Sequence, residues 1–195
     1  MAVEVAVVIM VILALFFILR RRGDVVVVEP KLGLVDLSGG KFAALLEEDR
    51  KALSSLFSDV SSSNRPPIPR CDVLFLYSDL APDGSLLHGP SVRQVATRAG
   101  AAIVVLASDK SPEERLTAAA AGTGQKKASL VLTYDRKGES FARFFRELFS
   151  LMKSGKGMPA AWVALAPQHP SAMNPDLPET IFLPEAGTVQ FKHQR

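Results

Sequence analysis

The sequence predicts an α/β protein, with an N-terminal transmembrane helix followed by one three-layer domain built on a mostly parallel sheet. Three observations carry this. Val5 to Leu19 is apolar without interruption and is followed by Arg20, Arg21 and Arg22. Between residues 72 and 166, short apolar runs alternate with stretches of helical spacing. Ser, Asp and Gly punctuate those runs, and these residues turn chains and cap helices.

The apolar segment comes first. Together with Met1 to Glu4 it makes a helix of roughly 28 Å at 1.5 Å per residue. That spans a hydrocarbon core of about 30 Å. A cleaved signal peptide carries its positive charge ahead of the apolar core and small residues at the cut. Here Glu4 precedes the core, the arginines follow it, and no A-x-A pattern is present. Arginines are retained on the cytoplasmic side. The expected localisation is a single-pass membrane protein with its N-terminus out. Its C-terminal domain is then cytoplasmic, or on the matrix or stromal side of an organelle membrane. Membrane lipid is the expected partner of residues 1–22.

Composition bounds the rest. The 195 residues leave one domain of roughly 120 to 150 beyond the anchor. Cys71 is the single cysteine, so no internal disulfide forms, which fits a reducing compartment. The net charge is +3, and much of the excess sits in the arginine triplet. A nucleic-acid binder carries a clustered Lys/Arg stripe; none occurs here, so no nucleic-acid partner is expected.

Along the soluble part, Val25 to Val28 reads as a strand or an extended linker. Pro30, Gly33, Gly39 and Gly40 then break the chain. Lys41 to Phe57 has helical spacing, with Phe42, Leu45, Leu46, Leu53, Leu56 and Phe57 on one side. Ser58 to Arg70 holds three prolines and four serines and reads as a linker. The expected organisation is an anchor at 1–22, a juxtamembrane strand, helix and linker at 23–70, and an α/β domain at 71–195.

Within that domain Asp72–Tyr77, Ala102–Ala107, Ser129–Thr133 and Ala160–Ala166 read as strands buried on both faces. Ser91–Ala99 reads as a helix before Gly100. Ser111 opens another, with Pro112 at its first position and Glu114 closing a capping box. Glu139 to Met152 reads as the clearest amphipathic helix, with Phe141, Phe144, Phe145, Leu148, Phe149 and Met152 on its apolar face, which the expectation turns to the core. After a Pro-rich loop at 167–178, Thr180–Leu183 and Thr188–Phe191 read as two short strands about Glu185 to Gly187. Alternation of this kind implies parallel strands with crossover helices. The order resembles that of the flavodoxin-like group, which includes Toll/interleukin receptor-type signalling domains. The likeness is one of topology and implies a fold, not a function.

Chemistry is expected beyond the carboxyl ends of the strands. Those ends carry Asp79, Asp109 and Asp135, and the first loop adds Asp83 and His88. These five are the candidate ligand-binding residues, suited to a polar small molecule, a nucleotide or a hard cation. Equally, Asp and Ser are common in turns, where they cap helices.

Other chemistries lack their residues. Ala121 to Lys127 (AGTGQKK) has glycines and lysines, but it follows a helix and precedes a strand, the reverse of a phosphate-binding loop. No G-x-S-x-G elbow exists. His88, His169 and His193 share no metal-ligand spacing. Cys71 precedes its strand, away from the expected crevice, where burial leaves a thiol inert. No catalytic set, metal site or cofactor is expected. The expectation is a non-enzymatic membrane-anchored domain acting by protein–protein interaction, as an accessory subunit of a membrane complex or an adaptor. The alternative is a polar small-molecule or nucleotide-binding domain or enzyme using the Asp-rich edge.

Overall fold

The computed structural model describes residues 25–87, 89–121, 129–133, 139–166, 180–183 and 188–192. The anchor residues Val5 to Leu19, the Arg20–Arg22 triplet, His88, Asp135 and the Pro-rich loop at 167–178 lie outside these.

The protein is α/β with parallel sheets. A six-stranded sheet has β2 (Lys31–Asp36), β3 (Asp59–Ser63), β4 (Val73–Tyr77), β5 (Ile103–Ala107), β6 (Ser129–Thr133) and β7 (Thr180–Leu183) in the order β3-β2-β4-β5-β6-β7. All neighbours are parallel except β7, which runs antiparallel to β6. A separate two-stranded parallel sheet pairs β1 (Val25–Val28) with β8 (Val189–Lys192).

The described residues form the α-helices α1 (Ala43–Leu53), α2 (Val92–Ala99), α3 (Pro112–Ala120), α4 (Glu139–Lys153) and α5 (Met158–Leu165). Two apolar clusters lie on opposite faces of the six-stranded sheet. One joins Leu34, Phe75 and Val105 to the inner faces of α1, α4 and α5 and to Val189 and Phe191 of β8. The other joins Leu74, Leu76 and Leu106 to α2 and α3. Alternate residues of each strand serve alternate faces, which is why β4 and β5 are apolar throughout.

The helix starts follow the local chemistry. Ser111 accepts from the Glu114 backbone amide while the Glu114 side chain accepts from Ser111, the capping box that the sequence signals. Ser91 and Gln94 form the same reciprocal pair at α2, and Gly100, at φ 72°, ends that helix in the left-handed conformation. On α4, Phe145, Leu148, Phe149 and Met152 are fully buried. That face is core, as its spacing predicts.

Three elements differ from the sequence reading. Residues 31–36 form β2, although Pro30 and Gly33 read as breaks. Gly33 is tolerated there because a Cβ on it would stand 2.7 Å from Cys71 Sγ; the strand has given up a side chain to the cysteine. Residues 59–63, expected within the linker, form β3 at the sheet edge. An edge strand half open to water needs no apolar run, so DVSSS suffices. The sheet and α1 therefore draw on the chain well before residue 71.

Of residues 160–166, expected as a buried strand, 160–165 belong to α5. A continuous apolar run does not separate strand from helix, but here burial falls at Met158, Ala161, Trp162 and Leu165, the i, i+3, i+4, i+7 spacing of a helix. The two C-terminal strands form where the sequence reads them; β7 extends the main sheet, and β8 joins β1.

Candidate functional site

Parallel pairing in register lines up the strand ends. Asp36 stands beside Tyr77, Tyr77 beside Ala107, and Ala107 beside Thr133. The next residues of each chain emerge along one edge. The strand order reverses between β2 and β4: the chain passes from β2 outward to β3, then returns to the other side of β2. Crevices in open α/β sheets form at such a point.

At that point β2 ends in Asp36 and the loop Leu37 to Phe42 leads into α1. Asp36 is fully buried. Its carboxylate accepts from the Ser38 backbone amide at 2.8 Å, from the Ser38 hydroxyl, and from the Phe42 amide at 3.3 Å. Three donors hold one buried carboxylate and fold the loop back on itself. Gly39 and Gly40 sit at φ 76° and 101°, a region costly for residues with a Cβ. Both positions are open, with no atom within 4 Å of an added Cβ.

The turn delivers Lys41 to the neighbouring strand ends. Its Nζ donates to Asp79 Oδ1 and to Asp109 Oδ2, each at 2.7 Å. The ammonium also stands 5.2 Å from the Phe42 ring centroid, close enough for a cation–π contribution. Lys41 thus ties together the ends of β2, β4 and β5. Asp109 hydrogen-bonds Lys41, which holds its carboxyl below the usual carboxylate range. The hydrogen bonds to Asp109 and then Asp79 push the Lys41 ammonium up.

The pH window follows from the two directions. The depressed Asp109 contributes stability above the ordinary carboxylate range, and loses it as pH falls through its lowered value. The raised Lys41 contributes below its ordinary value of 10.5, and loses it as pH rises through its raised one. Side-chain exposures of 45% and 46% leave the pair well screened, so Lys41→Met is expected to cost only about 0.5 kcal/mol. In that variant the Asp109 carboxyl is expected to titrate at higher pH than in the wild type, as read by carbon-detected NMR. An unmoved titration would mean that Lys41 does not hold it in solution.

Of the five sequence-predicted residues, the structure brings Asp79 and Asp109 together. It keeps Asp83 apart: that carboxylate accepts from the Ser85 amide at 2.9 Å and hydroxyl at 2.6 Å within its own turn. The Ser85 hydroxyl lowers its titration. His88 and Asp135 fall outside the described residues. No group of three or more His, Cys, Asp or Glu that could hold a metal ion occurs among the described residues. Cys71 is buried, and burial pushes its thiol up to about 12, so it stays protonated and unreactive at neutral pH.

Asp36 and Lys41 are the site residues that the sequence reading missed. The signal was D-L-S-G-G-K (residues 36–41) standing between a β-rich run and a helix, which is hidden when residues 31–36 are not recognised as a strand.

No family model matches the chain, and no curated protein is significantly similar to it. Among the described residues, one ammonium stands between two carboxylates here. Together they are a polar clamp at the crevice, with one residual negative charge when all three groups are ionised.

Proposed function

We propose that this chain is a membrane-tethered α/β domain that works by protein–protein interaction, as an accessory subunit or adaptor, and not as an enzyme. The observation that carries this reading is the state of the crevice. Asp79 and Asp109, the acids best placed for chemistry, are engaged by Lys41. Apolar side chains lie exposed elsewhere, with Leu87 43% and Leu116 42% accessible. In this account residues 5–19 span the membrane, and Arg20 to Arg22 keep the domain on the cytoplasmic, matrix or stromal side. Among the described residues no helix is long and apolar enough to cross a membrane. Tethering raises local concentration and lets weak contacts suffice. The strand order β3-β2-β4-β5-β6 supports the flavodoxin-like likeness, with β7 as an added antiparallel edge.

The tether is tested by alkaline carbonate extraction of membranes. The full chain is expected to stay in the pellet. A variant with Ile9, Leu13 and Phe17 each replaced by Lys is expected to be released. Release of the wild-type chain would remove the tether from the account.

A second reading is favoured by one specific observation: Lys41 and the open Gly39–Gly40 turn lie at the reversal of strand order. A polar ligand such as a nucleotide would meet Lys41 there, and its anionic groups would compete with Asp79 and Asp109. Titration calorimetry of the full chain with nucleoside triphosphates decides this. Heat in the wild type that disappears in Lys41→Met would favour the ligand reading. No heat at millimolar ligand would remove it.

A further inference from the structure

The connection between the apolar segment and the domain is very short. Only Gly23 and Asp24 separate Arg22 from β1. Three residue steps span at most about 11 Å. If residues 5–19 cross the bilayer, β1 begins within that distance of the headgroups, and the surface around it has no room to stand clear.

That surface has a composition suited to the position. Val26 and Val28 of β1 are exposed, at 44% and 46%. Their register partners on β8 are Gln190 and Lys192, and laterally paired residues project from the same face of a sheet. The start of α5 adjoins this face. A Cβ on Gly157 would stand 2.5 Å from Thr188 Cγ2 and 3.8 Å from the Gln190 side chain, and Thr188 O accepts from the Val25 amide at 2.7 Å.

From Gly157 the helix runs Met158 to Leu165 with no charged or polar side chain. Its inner stripe is buried, while Val163, 71% exposed, stands on the outside. Lys156 just before the helix and Lys192 on β8 are both exposed. A buried helix would explain an all-apolar sequence, but this one has a wet face and still no charge on it. Exposed aliphatic side chains with lysines at their margin are the pattern of a surface that lies in the membrane interface, with apolar groups at the acyl boundary and cations at anionic headgroups.

We infer that the face formed by β1, β8 and α5 rests on the bilayer, with Val26, Val28 and Val163 in its interfacial layer and Lys156 and Lys192 against anionic headgroups. The inference rests on the tethered reading above and deepens it, because it fixes which side of the domain is turned from the membrane. The reversal-point edge and the α2–α3 layer then remain open to a protein partner.

The test uses the full chain reconstituted in vesicles of phosphatidylcholine and phosphatidylserine. A nitroxide label is placed at Val163→Cys, and its collisions with oxygen and with a water-soluble nickel chelate are compared. Reference labels go at Met10→Cys, in the apolar segment, and at Leu116→Cys, on α3 and exposed. Val163 and Leu116 are both exposed, so neither label disturbs the core, and buried Cys71 is controlled for by the unsubstituted chain.

The label at residue 163 is expected to favour oxygen, as the label at 10 does, while the label at 116 favours the chelate. Lys156→Glu with Lys192→Glu is expected to move residue 163 toward the pattern of 116. A lipid-like signal at 10 with a water-like signal at 163 overturns this inference and leaves the tether standing. Water-like signals at both positions overturn the two together.

Discussion

Phe149→Ala is expected to destabilise the domain by about 4 kcal/mol, within the range for removing a buried phenylalanine. Phe149 is fully buried on α4. Its ring lies 5.3 Å from Phe57, edge-on, and 6.0 Å from Phe191, stacked. It also stands 6.3 Å from Phe75 of the central strand β4 and 5.9 Å from Phe145. One side chain therefore joins the main sheet, the segment after α1 and the small β1–β8 sheet. Each ring pair adds about 1 kcal/mol beyond area burial, and the cavity left behind is closed by three elements that cannot all collapse into it. A domain's whole stability is about 5 to 15 kcal/mol, so this loss is a large share. Urea unfolding followed by Trp162 fluorescence reads it, since Trp162 is the single tryptophan and packs edge-on to Phe144 at 4.8 Å. Phe149→Leu is expected to cost less than half as much. Equal losses for the two variants would mean that the ring contacts contribute little.

Gly84→Ala is expected to cost about 3 kcal/mol, from two sources. At φ 79° a Cβ meets its own backbone, at about 1 to 2 kcal/mol. An added Cβ would also lie 2.9 Å from the backbone N and Cα of Ala118. Backbone in the middle of α3 cannot rotate aside, so the loop after β4 or the helix must shift, and overpacking of this kind adds about 1 to 3 kcal/mol. Gly100→Ala separates the two sources. Gly100 has a similar φ of 72° but nothing within 4 Å of an added Cβ. Its loss is expected to show the backbone cost alone. If both variants shift the urea midpoint equally, the close approach of the loop to α3 is absent in solution.

The parts of the fold that the sequence makes legible are those where one local rule governs. β4, β5 and β6 are short apolar runs bounded by Ser, Asp or Gly, and α4 repeats Phe at helical spacing. The parts that escape are governed by distant contacts. β2 contains Gly33 because Cys71, far along the chain, fills its Cβ space. β3 is an edge strand whose pairing with β2 replaces the need for apolar residues. Residues 158–165 are apolar on all sides, so only their burial pattern reveals a helix.

The candidate site divides the same way. Asp79 and Asp109 are legible because each stands two residues past the end of a recognisable buried strand. Lys41 is not, because its position depends on β2 and on the buried Asp36 that folds the glycine turn. The meaning of the two acids changes with it: they read as ligands for a cation in the sequence, and in the structure a lysine of the same chain already occupies that role.

The proposed function requires the tethered domain to hold a protein partner. Its most direct test is the native mass of the full chain extracted in mild detergent, with every companion chain identified. The account predicts a particle larger than the chain and its detergent, with a second protein in fixed stoichiometry that survives dilution. A lone monomer or homodimer, obtained under conditions that preserve other membrane complexes, would contradict it.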